Sequence, residues 1–316
     1  MKFRTSLALE SSDLQIDYNS KLVLLGSCFS ENIGQALYDR KFTTLINPLG
    51  ISYNPMSILK NVNIIAKNRQ ILESDLQEKN DRFFHYDFHG SNNTLNPTAY
   101  ADQINKNINK THAYLKLADV LFISLGTANV FTHNTHGIVN NCHKMPNNLF
   151  TRRLLSIVEI TDALTKIKSL VQSINPKIKL VFTVSPIRHI RDGLIVDRRS
   201  KSLLIASLSQ VINDKDVFYF PSYELLIDDL RDYRFYKEDL IHPSDQAIRY
   251  IWEYFSAVYF SDKTKELIGK VDKINSMLSH KIMNTSSEAS QKFIEKIKIE
   301  IENISNHIPQ DRWGHK

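Results

Sequence analysis

The chain has 316 residues, 42% of them hydrophobic and 23% charged, with a formal net charge of +6. This composition is that of an ordinary globular chain and suggests neither disorder nor a membrane protein. Lys and Arg are dispersed, with no dense basic block interleaved with aromatics, so no nucleic-acid partner is expected; no run of about 18 apolar residues points to a membrane span.

Taken in chain order, Lys21-Leu22-Val23-Leu24-Leu25 is an apolar strand that stops at Gly26-Ser27, and Ser30 to Tyr38 reads as the helix behind it. Thr43 to Ile46 is a second strand, ending at Asn47-Pro48-Leu49-Gly50. Asn54-Pro55 and Asn96-Pro97 each pair a capping residue with Pro at the first helical position, and predict helices to about Ala66 and Leu117. Asp119 to Leu125 is a strongly apolar strand ending at Gly126-Thr127, and Phe131 to Val139 reads as a hairpin. Ser156 and Glu159 form a capping box for a helix that ends near Asn175. Lys179 to Val184 is a strand, Ser200 to Val211 a helix, Val217 to Phe220 a strand, and Ser244 caps a helix through Phe260. Strands alternating with helices argue for an α/β fold with a parallel sheet covered on both faces. Residues 1–260 are expected to form that domain. Residues 261–316, without a strong strand and rich in Lys and Glu, are expected to be a helical C-terminal extension.

Three residues carry the strongest chemical signal. Ser27 lies where a strand delivers a hydroxyl to the carboxyl end of the sheet, and its amide lies near a helix N-terminus. Asp239 and His242, three positions apart and followed by Pro243 and Ser244, let one short loop present a carboxylate and an imidazole together. A serine needs a base, and the base needs an acid that fixes its tautomer, so these are the parts of an acyl-transfer triad. Cys28 is the rival nucleophile, or else a packed small residue. Asp229 and Asp232 are alternative orienting acids, and His189 is a competing base without an acid at comparable spacing.

The ordered set of Gly26-Ser27 after the first strand, Gly50 after the second, Gly126-Thr127 after the third and Asp239-x-x-His242 resembles the SGNH hydrolases. More closely, Gly26-Ser27-Cys28-Phe29-Ser30 resembles the signature of GSCFA-domain proteins, with Ser30 where the signature has Ala. Asn47-Pro48-Leu49-Gly50-Ile51, Leu125-Gly126-Thr127-Ala128, Asn141-Cys142-His143-Lys144, Thr183 to His189 and Asp232 to Tyr236 extend the match over roughly residues 1–260. The resemblance implies a three-layer α/β/α sandwich with a mainly parallel, flavodoxin-like sheet. It also implies a serine esterase or acyltransferase acting on an acyl ester, of which a carbohydrate ester is the most plausible. In it Ser27 would be the nucleophile, His242 the base and Asp239 its orienting acid. Ser27 and Gly50 would give oxyanion amides, with Thr127 in place of the superfamily's Asn, because Ala128 stands at that position. A fold of this kind that has lost efficient turnover and only binds a ligand is the rival reading, and Ala128 motivates it.

Asn141, His143 and Lys144 are expected to line the mouth of the site, with Arg188 and His189 as further substrate contacts. His133, His136, Cys142 and His143 invite a metal reading, but adjacent Cys142 and His143 rarely reach one ion, so no metal and no organic cofactor is expected. The run Phe83 to His89 could line a cleft or simply alternate in a half-buried strand. Two cysteines make no disulfide framework, and Met1 to Ser20 hold Glu10, Asp13 and Asp17 without a signal-like apolar run, so a cytoplasmic setting is expected.

Overall fold

A computed structural model describes residues 5–8, 10–213, 215–280 and 287–313. In chain order it begins with β1 (Lys21–Gly26), α1 (Cys28–Asp39), β2 (Thr43–Ile46) and α2 (Pro55–Ala66). A short hairpin of β3 (Gln77–Lys79) and β4 (Arg82–Phe84) leads to α3 (Pro97–Leu115) and β5 (Val120–Leu125). The antiparallel strands β6 (Asn129–His133), β7 (Gly137–Val139) and β8 (Phe150–Leu154) precede α4 (Ile157–Ile174) and β9 (Lys179–Val184). Then come α5 (Leu194–Leu208), β10 (Val217–Tyr219) and α6 (Ser222–Glu224), which runs into a π-helical turn at Leu225–Leu230. The chain continues with α7 (Asp245–Tyr259), α8 (Asp262–Ser279) and α9 (Glu288–Asn303).

The central sheet is five-stranded and parallel throughout, in the order β2-β1-β5-β9-β10. Numbered among themselves, these strands run 2-1-3-4-5, the flavodoxin-like order, and the connections reverse direction between β1 and β5. Strand alternation builds two cores. Val23, Leu25, Leu121, Ile123, Leu180 and Phe182 point to one face, where residues of α2, α3, α4 and α5 cover them. Leu22, Leu24, Val120, Phe122 and Val181 point to the other, under α1 and α7. The expected α/β/α architecture is therefore what the chain forms.

The capped helices begin where their signals stand: Asn54 and Asn96 accept from Ser57 and Ala99 amides, and Ser156 with Glu159 closes its box. α5 starts earlier than the expected Ser200, at Leu194, behind Gly193 with φ of 85°. Strand β8 was not expected, because Phe-Thr-Arg-Arg-Leu has one charged pair in place of clean alternation; it pairs with β6 and completes a small sheet beside the main one. The C-terminal helices α8 and α9 lie against the main body. Leu267, Ile268, Val271, Ile274 and Ile297 share a core with Phe29, Ile33 and Leu37 of α1. Positions 281–286 and 314–316 of the expected extension fall outside the described residues. Among the described residues no helix is long and apolar enough to cross a membrane.

Candidate active site

The strand order reverses between β1 and β5, and at the carboxyl ends of strands beside such a switch point open α/β folds place their ligands. β1 can turn there only because residue 26 is glycine: its φ is +119°, and a Cβ would stand 2.2 Å from the Ser124 carbonyl oxygen. Ser27 follows in extended conformation as the N-cap of α1. It is 0% exposed, its hydroxyl lies 2.8 Å from Ser124 Oγ and accepts from the Phe29 amide, and its own N–H donates to Ser124 O at 2.9 Å. Cys28, the first residue of the helix, is only partly buried. Burial, and after it the Glu31 carboxylate, push its thiol pKa up, while its own N–H, the nearby Lys201 ammonium and the Phe29 N–H oppose them.

Asp239 and His242 meet as their spacing predicts. Asp239 Oδ1 accepts from the backbone N–H groups of Ile241 (2.9 Å) and His242 (3.0 Å), and Oδ2 lies 2.7 Å from His242 Nδ1. Those hydrogen bonds, led by the His242 N–H, hold the Asp239 carboxyl down at about 2. With Nδ1 engaged by the carboxylate, Nε2 is the nitrogen left to take a proton. The loop is pinned at its ends by Lys237 N–H to His242 O and Ser244 N–H to Phe235 O, both 2.8 Å, and its sharp bend puts Leu240 at φ 55°. The alternative acids are occupied elsewhere: Asp229 accepts from the Tyr250 and Tyr254 hydroxyls, and Asp232 binds Arg234.

The loop after β9 brings His189 beside Gly126 and Tyr53, at the carboxyl edge of the sheet. Its ring meets Tyr53 edge-on at 5.4 Å, and its Nε2 stands 3.0 Å from where a Cβ on Gly126 would lie. That nitrogen is buried without a hydrogen-bond partner. Burial first, then the Lys201, Arg152 and His242 charges, lower the ring to about 3, so it is neutral at pH 7. Beneath it lies Lys201, 1% exposed, whose ammonium donates to Gly126 O (2.6 Å), Ser185 O (2.8 Å) and Ile187 O (2.9 Å). Sequence reading missed Lys201, which sits in an Arg-Arg-Ser-Lys run that looks like surface charge; the only signal was Asp197 one helical turn earlier. Desolvation lowers Lys201 to about 8, opposed by Asp197 and Cys28.

A family model described as GSCFA family matches residues 21–255, which span the sheet and every element just described. The chain belongs to the GSCFA family. No curated protein matches it. Among solved structures it is similar to a carbohydrate esterase family 3 from Talaromyces cellulolyticus, with TM-score 0.36 and 9% identity over 80% of this chain and 99% of that one. It is similar too to an acetyl esterase mutant with acetate ion, again at TM-score 0.36 and 9% identity, over 81% of this chain and 99% of that chain. Similarity at that level says nothing about which atoms react.

In this GSCFA chain the three expected oxyanion donors are all engaged within the protein. Ser27 N–H is bound to Ser124 O, and Gly50 N–H closes its own turn onto Asn47 O at 2.8 Å. The Thr127 hydroxyl lies 3.0 Å from Ser200 Oγ and accepts from the Asn129 amide, while the Thr127 N–H donates to Tyr53 O. Ala128 is fully buried, with its amide on Ser200 Oγ at 2.6 Å. The physical reason is common to all: short loops at strand ends must satisfy their own buried amides. No hydrogen bond joins Ser27 to His242: the Ser27 hydroxyl is engaged with Ser124 and the Phe29 amide, and His242 Nδ1 with Asp239.

Arg188, expected as a substrate contact, holds the Asp239–His242 loop. Its N–H and guanidinium donate to Ile241 O and Leu240 O, and the guanidinium stacks 4.1 Å from the Tyr236 ring. Asn141, His143 and Lys144 do come together, in a cleft of about 520 Å³ lined also by Lys79, Arg82 and Asn93. His143 is a structural member of that wall: its nitrogens lie 3.2 Å from Asn93 Nδ2 and 3.1 Å from His85 O, and its ring stacks on Phe84 at 4.2 Å. His133 Nδ1 accepts from Thr135 and His136 amides and so closes the β6–β7 turn. Among the described residues no group of three or more His, Cys, Asp or Glu could hold a metal ion.

Proposed function

We propose that this protein is an SGNH-type hydrolase or acyltransferase that cleaves or transfers an acyl ester, with carbohydrate esters as the substrate class. The observation that carries this reading is the Asp239–His242 pair, held at 2.7 Å on a loop pinned at both ends. Such a pair serves as general base toward a nucleophile and then as general acid toward the leaving alcohol. The nucleophile comes from the β1–α1 turn at the switch point. The family signature Gly26-Ser27-Cys28-Phe29 falls on that turn, which supports the assignment. The neutral His189 ring, with a buried and unpartnered Nε2 beside Gly126, serves as the donor that the absent Asn would otherwise provide. The cleft around Asn141 and Lys144 carries amide and cationic groups that suit the hydroxyls of a sugar or an anionic group on it.

The second reading is a ligand-binding protein with little turnover, favoured by one observation: each oxyanion donor expected from the superfamily is engaged inside the protein. Losing one such donor costs about 2.7–4 kcal/mol of transition-state stabilisation. Turnover of p-nitrophenyl acetate separates the two readings. Under the enzymatic one, His242→Ala lowers kcat/KM by at least about 100-fold and Asp239→Asn by a comparable factor, as both remove the base or its tautomer. Identical rates for wild type and His242→Ala would leave only the binding reading.

A further inference from the structure

We propose that the nucleophile of this site is the Cys28 thiol, and that Ser27 is the residue that builds the turn behind it. The assignment rests on the acyl-transfer reading above and names the reacting atom within it.

Four observations converge. The first is negative for Ser27: its side chain is 0% exposed and its hydroxyl is engaged with Ser124 and the Phe29 amide, as an N-cap hydroxyl must be. Releasing it would uncap α1 and leave Ser124 Oγ unpaired. The second is position. Cys28 is the first residue inside α1, next to the reversal of strand order between β1 and β5, and its side chain is only partly buried. The third is its environment: burial and Glu31 raise the thiol, and its own N–H, the buried Lys201 ammonium and the Phe29 N–H oppose them. Helix N-terminal amides and a nearby cation are what favour a thiolate. The fourth is independent of the cysteine. His189 Nε2, beside Gly126 at the same carboxyl edge, is a buried atom with no hydrogen-bond partner in the protein, a polar group open to a ligand atom. Tyr53 ties the two sides, its ring against His189 and its hydroxyl within electrostatic reach of Cys28.

The chemistry balances without a co-reactant other than water or an acceptor alcohol. Sγ gives its proton to His242 Nε2 and bonds to the carbonyl carbon. The carbon–oxygen bond to the alcohol breaks, and the alcohol leaves with that proton, giving a thioester on Cys28. Water then attacks the thioester carbonyl and yields a proton to His242; the carbon–sulfur bond breaks and the sulfur regains the proton. Ester and water become acid and alcohol. An acceptor alcohol in place of water gives transfer. A thioester is more reactive toward either than an oxyester, so the sulfur suits a site with few oxyanion donors.

The test uses the full chain carrying Cys142→Ser, which leaves Cys28 as the single thiol. The protein is mixed with p-nitrophenyl acetate, quenched in acid, and the acetylated residue located by mass spectrometry before and after neutral hydroxylamine. The expected result is one acetyl group on Cys28 that hydroxylamine removes. Cys28→Ser and Cys28→Ala should each lose at least about 100-fold in kcat/KM while melting as folded proteins, since loss of a nucleophile typically costs far more than that. Ser27→Ala should still be acetylated at Cys28. Acetyl found on Ser27, or a Cys28→Ala protein that turns over at the wild-type rate, overturns the assignment and leaves the ester reading intact. Wild-type protein that takes up no acetyl group and shows no His242-dependent turnover sinks both.

Discussion

Gly26 shows how one residue decides the identity of its neighbours. Its φ of +119° and the 2.2 Å that a Cβ would have to the Ser124 oxygen let β1 run so close to β5 that Ser27 lands inside the sheet edge. The residue that ends the strand is thereby also the cap of α1. The same logic of burial governs His143. Both of its ring nitrogens are engaged and its ring is stacked, at 8% exposure, so burial lowers it to about 4. Between about 4 and the unfolded value near 6.5, the unfolded chain binds a proton there that the folded chain does not. Folding stability contributed by the neutral ring is therefore present above that window and lost as pH falls through it, by up to about 1.4 kcal/mol per pH unit. Urea unfolding at pH 6.5, 5.5 and 4.5 should give a shallower decline for His143→Gln than for wild type. Parallel declines would show that the ring does not titrate with folding.

At the scale of elements, α5 is the member whose contribution the sequence conceals. Its strands and capped neighbours announce themselves through apolar runs and Asn-Pro or Ser-x-x-Glu signals, and these set the parallel sheet, the carboxyl edge and the Asp239–His242 loop before any coordinates. The side-chain partners of that edge do not announce themselves, because they depend on which carbonyls lack a donor after the strands have paired. Ser200 serves Ala128 N–H and Thr127, and Lys201 serves the carbonyls of Gly126, Ser185 and Ile187. One helix thus ties together the loops after β5 and β9, and with them the His189 ring. Lys201→Met leaves those carbonyls buried without a donor, at about 1–3 kcal/mol each. The expected loss in unfolding free energy is at least about 3 kcal/mol, measured by urea titration. A loss under about 1 kcal/mol would mean that water replaces the ammonium without difficulty.

Over the whole molecule, the two faces of the sheet are covered by different means. One face is closed by α2 to α5, each a crossover between strands or adjoining one. The other has only α1 and α7 from within the α/β repeat, and the remaining apolar surface is closed by the C-terminal helices. The composition of the region after Phe260 conceals this, since Lys and Glu dominate the helices and the apolar stripe is narrow. Yet Leu267, Ile268, Val271, Ile274, Ile297, Ile304 and Ile308 are all at most 8% exposed. Polar ties reinforce the seat: Arg40 reaches Asp272, Asn275 donates to Asp39 O, and Arg312 donates to the Tyr18 and Lys41 carbonyls. Burying an aliphatic side chain is worth roughly 1.5–3 kcal/mol. Summed over these side chains, the contribution is on the order of 10 kcal/mol, comparable with the 5–15 kcal/mol that holds a typical domain folded. A chain ending at Ser261 should therefore fail to melt cooperatively and should bind the dye ANS, as loosely packed states with exposed apolar surface do. If that truncated chain instead melts within about 2 °C of the full one, the C-terminal helices contribute only about 1 kcal/mol and the exposed face needs no cover.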